Sequence, residues 1–225
     1  MERNNMFITF EGSEGSGKTT QSELLARTLQ EKGFEVLHTY EPGGTRISEK
    51  IRRILLDPEN SNMSALTELF LYLSARAQII QEVIKPALEA DKIVICDRFI
   101  DATLAYQGYG RRLNKELIQK LNSLVTQDIL PDLTIVLDID PTEGLQKAIN
   151  LHKDNYPEGI GDRIEQEEFE FHQRVRNGYL EIGKQDPQRV KIVNRQKDIE
   201  EIHQIILGYV NKLLDIHYKG TIDKK

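Results

Sequence analysis

Short apolar runs at residues 6–10, 36–40, 93–96, 133–139 and 190–193 punctuate the chain, each rich in Val, Ile, Leu or Phe and of a length that suits a strand buried on both faces. Between them lie longer segments with apolar residues at helical spacing, which predict helices over 18–32, 64–90, 115–127, 141–150, 166–184 and 199–214. The first carries Leu24, Leu25, Thr28 and Leu29 on one face and stops before Gly33. Pro86 should kink or break the second. Strands alternating with helices predict a parallel sheet with helices on both faces.

In open sheets of this kind ligands sit beyond the carboxyl ends of the strands, so the residues that follow each apolar run carry the chemical information. After the first run comes Gly12-Ser13-Glu14-Gly15-Ser16-Gly17-Lys18-Thr19-Thr20, which matches the phosphate-binding pattern G-x-x-x-x-G-K-[ST]. Its glycines let successive backbone N–H groups turn toward one anion, Lys18 reaches the outer phosphates, and the Thr19 hydroxyl is placed to ligate magnesium. The loop therefore predicts a nucleoside triphosphate ligand. After the second, third and fourth runs come Glu41-Pro42-Gly43-Gly44-Thr45, Asp97-Arg98-Phe99 and Asp138-Ile139-Asp140-Pro141. All should converge on one cleft.

A length of 225 residues suits a single domain spanning 1–225. A net charge of −6 excludes a general nucleic-acid-binding surface, which needs clustered Lys and Arg. The anionic ligand is small and locally gripped. One cysteine, Cys96, lies in an apolar run and reads as a buried small hydrophobe rather than a nucleophile. The opening MERNNM lacks the apolar core of a signal peptide, and no stretch approaches a membrane span, so the expectation is a soluble cytoplasmic protein without a membrane partner. The irregular segment at about 151–163 reads as a flap that would exclude water from bound phosphates.

Taken with the phosphate loop, Glu41–Thr45, Asp97-Arg98-Phe99 and Ala105-Tyr106-Gln107-Gly108 resemble the bacterial thymidylate kinases, whose signatures include EPGGT, DR[FY] and AYQG. The resemblance spans nearly the whole chain. It implies a P-loop NTPase-type three-layer sandwich around a five-stranded parallel sheet, and transfer of the ATP γ-phosphoryl group to the 5′-phosphate of dTMP, with Mg2+, on the way to dTTP. A phosphate nucleophile ionised at neutral pH needs no strong general base.

Carried over position by position, the resemblance gives Arg98 the acceptor phosphate and Asp97 the magnesium shell. Arg52, rather than neighbouring Arg53, joins Arg98 on that phosphate, beside Glu41 and Pro42. Tyr72 stacks on thymine and Arg76 reaches a base carbonyl, one helical turn apart on one face. Phe70 is then core. Glu14 accepts from the 3′-hydroxyl, Tyr106 crowds the 2′ face, and Thr103 and Gln107 contact the base; Ala102 stands where many relatives carry serine. The phosphate loop lacks an arginine, so a cation from the flap, Lys153 or Arg163, should serve the donor phosphates, with Arg163 expected to carry more of that role. Glu165 would contact a magnesium water. The apolar helix 64–90, together with the resemblance, implies a homodimer.

Three alternatives stand beside this reading: a kinase for another nucleoside monophosphate, a nucleotide-dependent regulator, and, because of the flap lysine, a catalytically weakened scaffold. The second draws on Leu133–Asp138, whose terminal Asp resembles the second nucleotide motif of switch proteins. Against it, no N-K-x-D signature occurs, and a regulator has no need of a second phosphate site at Arg52 and Arg98.

Overall fold

The structure is a computed structural model that describes residues 5–151 and 161–222. Strands β1 (Met6–Glu11), β2 (Val36–Tyr40), β3 (Ile93–Asp97), β4 (Leu133–Asp138) and β5 (Val190–Asn194) form one sheet in the order β2-β3-β1-β4-β5. Every pairing is parallel. Each apolar run of the sequence is thus a strand, with its ends moved by about one residue.

Register explains the layers. Met6 pairs with Ile93, and Ile8 with both Ile95 and Leu133, so these side chains share one face. That face packs on Leu25 and Leu29 of α1 (Lys18–Glu31) and on Ile202, Ile206 and Val210 of α9 (Ile199–Ile222). The residues between them, Phe7, Val94 and Cys96, point the other way, against Ile79, Ile80, Ile84 and Phe99. Cys96 is fully buried and burial pushes its thiol up, which removes it as a nucleophile.

The predicted helix 64–90 is three pieces. Ser64 caps α3 (Ala65–Ile79), its hydroxyl accepting from the Thr67 N–H at 3.2 Å; a π turn (Ile80–Ile84) and a short α4 (Lys85–Glu89) follow. Pro86 has no N–H to donate and its ring crowds the carbonyl four residues back, so the widened turn lies immediately before it and the break comes upstream of the proline. A helix absent from the periodicity reading, α2 (Arg46–Leu56), starts at Thr45, whose hydroxyl accepts from the Ser48 N–H at 3.1 Å. Another, α5 (Ile100–Thr103), runs into a second π turn (Leu104–Gly110).

Helices α6 (Lys115–Thr126), α7 (Pro141–Leu151) and α8 (Phe169–Gln185) complete the chain. The last starts later than predicted because residues 162–165 close a turn of their own. Asp162 Oδ1 accepts from the Ile164 and Glu165 N–H groups at 2.8 and 2.9 Å, and Glu165 Oε2 accepts from the Asp162 N–H at 2.9 Å. Residues 152–160, which hold Lys153 and most of the expected flap, lie outside the described residues. Among the described residues no helix is long and apolar enough to cross a membrane.

Candidate active site

The loop from Gly12 to Lys18 joins the central strand β1 to α1 and occupies the switch point of the sheet, with β3 on one side and β4 on the other. Gly15 has φ +65°, and a Cβ there would lie 2.1 Å from the carbonyl oxygen of Gly144 in α7. Only glycine permits both the turn and this approach. Lys18 Nζ folds over the loop, donating to Ser13 O at 2.8 Å and Ser16 Oγ at 3.3 Å. Burial and the Arg98 charge push its ammonium down to about 8, against the pull of Asp97, Glu14 and Glu11.

Arg98 follows β3 in a left-handed conformation, φ 68°, held by its N–H donating to Phe10 O at 2.8 Å. A strained non-glycine residue persists where its surroundings over-determine it, as at binding sites. Its guanidinium donates to Gly12 O at 3.0 Å, to Tyr106 Oη at 3.1 Å and to Glu14 Oε1 at 3.0 Å, while Tyr106 donates to the same Glu14 oxygen at 2.5 Å. Burial works to raise the Glu14 carboxyl, but His172, Arg98 and Lys18 outweigh it and hold it well below the usual carboxylate range. Arginine, tyrosine and glutamate therefore form one charged cluster beside the phosphate loop.

Two residues of this cluster escaped the sequence reading. Glu11, at the end of β1, accepts from the Phe99 and Ala102 N–H groups at 2.8 and 3.2 Å and from Tyr179 Oη at 2.8 Å, locking the turn that presents Arg98. Burial and Asp101 raise its carboxyl above the ordinary range. His172 lies beside Phe171 on α8 and faces Glu14. The available signal was polarity on a buried stripe: a carboxylate ending an apolar strand, and a histidine next to the apolar positions Phe171, Val175 and Tyr179.

A cavity of about 970 Å³ opens over the loop, its lining including Gly15, Gly17, Thr19, Thr20, Lys147 and Arg195 as well as Arg52, Tyr72, Thr103, Tyr106 and Gln107. Lys18 and Arg98 line it too. That volume has room for two small ligands. A sequence profile of the thymidylate kinase family matches residues 10–206. The chain belongs to the thymidylate kinase family. It is 48% identical to the thymidylate kinase of Desulforapulum autotrophicum over 96% of this chain and 95% of that one, and 51% identical to that of Geotalea daltonii over 91% and 98%. The crystal structure of thymidylate kinase from Ehrlichia chaffeensis superposes with a TM-score of 0.73 at 38% identity, covering 92% of this chain and 98% of that one.

Within this kinase fold several expected site residues come together. Thr19 Oγ1 donates to Asp97 Oδ2 at 2.6 Å, so a hydroxyl and a carboxylate converge beside Lys18, an oxygen pair that fits a hard divalent cation. Among the described residues no group of three or more His, Cys, Asp or Glu side chains is arranged to hold a metal. A magnesium ion carried in by phosphates needs few protein ligands. Arg52 lines the cavity and donates to Pro42 O at 2.9 Å, its guanidinium 5.6 Å from the Tyr40 ring; Arg53 is exposed and off the cavity. Glu41, Pro42 and Glu165 also line it.

Other expectations are corrected. Arg76 lies on the cavity wall but its N–H groups are engaged: they donate to Glu41 Oε2 at 2.8 and 2.7 Å, to Thr103 Oγ1 and Asn122 Oδ1 at 2.7 Å each, and to Phe99 O at 2.7 Å. In this arrangement it braces the wall. Phe70 is not core but 54% exposed, because Leu69 and Leu73 already turn the inner face of α3 elsewhere. Arg163 is buried away from the cavity, with Nε donating to Leu55 O at 2.7 Å and Nη2 2.7 Å from Glu68 Oε2. Its neighbours Asp162, Ile164 and Glu165 line the cavity instead.

Proposed function

We propose that the two ends of the cavity are the donor and acceptor sites of one phosphoryl transfer, from ATP to the 5′-phosphate of dTMP, giving dTDP. Membership of the thymidylate kinase family carries the reaction; the geometry supports the assignment of residues to it. The observation that carries most weight is Arg98, held in a left-handed turn within reach of both the phosphate loop and the Glu14–Tyr106 pair. A planar guanidinium there takes two oxygens of the acceptor phosphate and spreads the charge of the transferring group. Lys18 and the loop N–H groups hold the donor phosphates. Thr19 and Asp97 would hold Mg2+, with Glu165 near its waters, and the ion would neutralise charge between the β- and γ-phosphates.

At the acceptor end Tyr72, whose phenol is pushed up by burial and stays neutral, stacks on the base. Gln107 gives its amide nitrogen to Glu68 at 2.8 Å, which leaves its carbonyl oxygen for a base N–H. Glu14 takes the 3′-hydroxyl, and Tyr106 fills the space a 2′-hydroxyl would need. With Arg163 buried, the flap cation on the donor phosphates falls to Lys153, while Arg163 anchors the base of the flap. A regulator finds less support: Asp138, the carboxylate it would need beside magnesium, is clamped by Arg176 at 2.7 and 3.0 Å.

Calorimetric titration with dTMP tests the acceptor assignment. Arg52→Ala should weaken binding by about ten- to a hundredfold, the value of a charge-assisted contact, and Arg53→Ala should change it less than about twofold. The reverse ranking would contradict the site. A second test follows from Lys18. Only its ammonium holds a phosphate oxygen, so kcat/KM for ATP, which reports the free enzyme, is expected to be level near neutrality and to fall as pH rises through about 8. A profile flat to about pH 9.5 would show that the Lys18 ammonium is not lowered in the free enzyme, and kcat/KM unchanged in Lys18→Ala would remove it from the donor site.

The exposed apolar residues Leu66 and Phe70 of α3 and Ile47 and Ile54 of the adjoining α2 support the reading of a homodimer that would cover them. Phe70→Glu is expected to convert a dimer to a monomer in size-exclusion chromatography with light scattering. A wild-type protein already monomeric at assay concentration would exclude the dimer.

A further inference from the structure

The two carboxylate oxygens of Glu14 are treated unequally. Oε1 accepts from Tyr106 Oη at 2.5 Å and from Arg98 Nη2 at 3.0 Å. Oε2 is buried without a hydrogen-bond partner, and the group facing it, 3.6 Å away, is Nδ1 of His172. His172 is 1% exposed, and neither of its ring nitrogens has a hydrogen-bond partner. Orphaned polar atoms of two residues therefore meet at one contact. The ring stands edge-on to Phe171 at 5.3 Å, an environment a plain aromatic ring would fill without the cost of burying two unsatisfied nitrogens. A shift of less than about 1 Å makes the contact a hydrogen bond.

That shift has an occasion. If an acceptor phosphate takes the Arg98 guanidinium, as the proposed function has it, Glu14 loses a donor on Oε1 when that oxygen is wanted for the 3′-hydroxyl. We propose that His172 is a positioning residue for Glu14, donating from Nδ1 to Oε2 in the dTMP complex so that the carboxylate stays oriented with Oε1 turned to the sugar. This rests on the reading of Glu14 as the partner of the 3′-hydroxyl. Through Glu14, helix α8 helps to select the acceptor sugar.

The test measures Kd by calorimetry for dTMP and for its 3′-deoxy analogue, together with KM and kcat for dTMP, in the wild type, His172→Phe, His172→Asn and Glu14→Gln. His172→Phe should raise Kd and KM for dTMP about tenfold, more than it lowers kcat, and leave Kd for the analogue within about twofold. His172→Asn, which returns an N–H near the position of Nδ1, should recover most of the loss. Unchanged dTMP binding in His172→Phe, or an equal rise for the analogue, overturns the proposal. If Glu14→Gln distinguishes the two ligands and His172→Phe does not, only the role of His172 falls; if Glu14→Gln treats them alike, the reading of Glu14 falls and takes the proposal with it. Should His172→Phe fail to fold, His172→Leu supplies the variant without a donor, and the same outcomes decide.

Discussion

Arg98→Ala is expected to lower kcat/KM for dTMP by at least about a thousandfold, the scale of removing a pre-placed cation from a transferring phosphoryl group. The residue sits at a conformation its backbone adopts only under constraint, φ 68°, with Gly12 O, Tyr106 and Glu14 all within hydrogen-bonding distance. Arg98→Lys should recover little, because an ammonium lacks the planar fork that takes two oxygens at once. Single-turnover kinetics with bound ATP and dTMP separate the chemical step from binding. Arg98 also pairs with the largely buried Glu14, so Arg98→Ala should lower the unfolding temperature, whereas Arg98→Lys, which keeps the charge, should unfold closer to the wild type. A lysine variant within about tenfold of the wild type would mean that Arg98 acts as a bulk charge and not as a phosphate fork.

The second large effect is on stability. Arg76→Met should cost about 3–5 kcal/mol of unfolding free energy in a urea titration, because it strands Glu41 in the interior. Glu41 is 5% exposed, its Oε1 has no hydrogen-bond partner, and its other oxygen is held by Arg76. Burial raises the Glu41 carboxyl even with Arg76 present, and without that charge the rise grows. A carboxyl whose folded pKa exceeds its unfolded one loses stability as pH climbs above the unfolded value, so the deficit should widen from about pH 5 toward pH 8. Adding Glu41→Gln should recover part of the loss and flatten that dependence. A cost below about 1 kcal/mol would show that Arg76 is dispensable to the wall and available to a ligand after all.

These two arginines show what the chain disclosed beforehand. The phosphate loop, the strands and Arg98 were legible because each depends on local order: a glycine pattern, a period of two faces, and a motif placed directly after an apolar run. Arg52 was preferred to Arg53 because the family resemblance puts the phosphate arginine at that position; helical geometry adds only that its neighbour points about 100° away. Arg76 was placed on the right face and beside the right cavity, yet helical spacing says nothing of Asn122 and Thr103, which arrive from other elements and take its donors.

The surroundings of Arg163 were hidden on the same ground. Its partners, Leu55 O and Glu68, are distant in sequence, and only the packing of α2 on α3 puts them within reach. Phe70 followed from treating apolar as buried, when apolar side chains are also common on the outer face of a helix such as α3. The π turns before Pro86 and after Thr103 have no periodic signature. His172 and Glu11 were visible only as polar letters among apolar ones, a signal that acquires meaning once the facing groups are known.

The measurement that bears most directly on the account is the initial rate of phosphoryl transfer from Mg-ATP to dTMP, dUMP, dCMP, dGMP, UMP and AMP offered in parallel at matched concentration. The account predicts dTMP first, with dUMP, which lacks one methyl group, behind it by about ten- to a hundredfold, and the remaining acceptors slower still. Preference for another monophosphate would leave the phosphate loop and Arg98 in place but contradict the base and sugar contacts assigned to Tyr72, Gln107 and Glu14. ATP binding without transfer to any of the acceptors would contradict the central claim that this cavity holds two substrates.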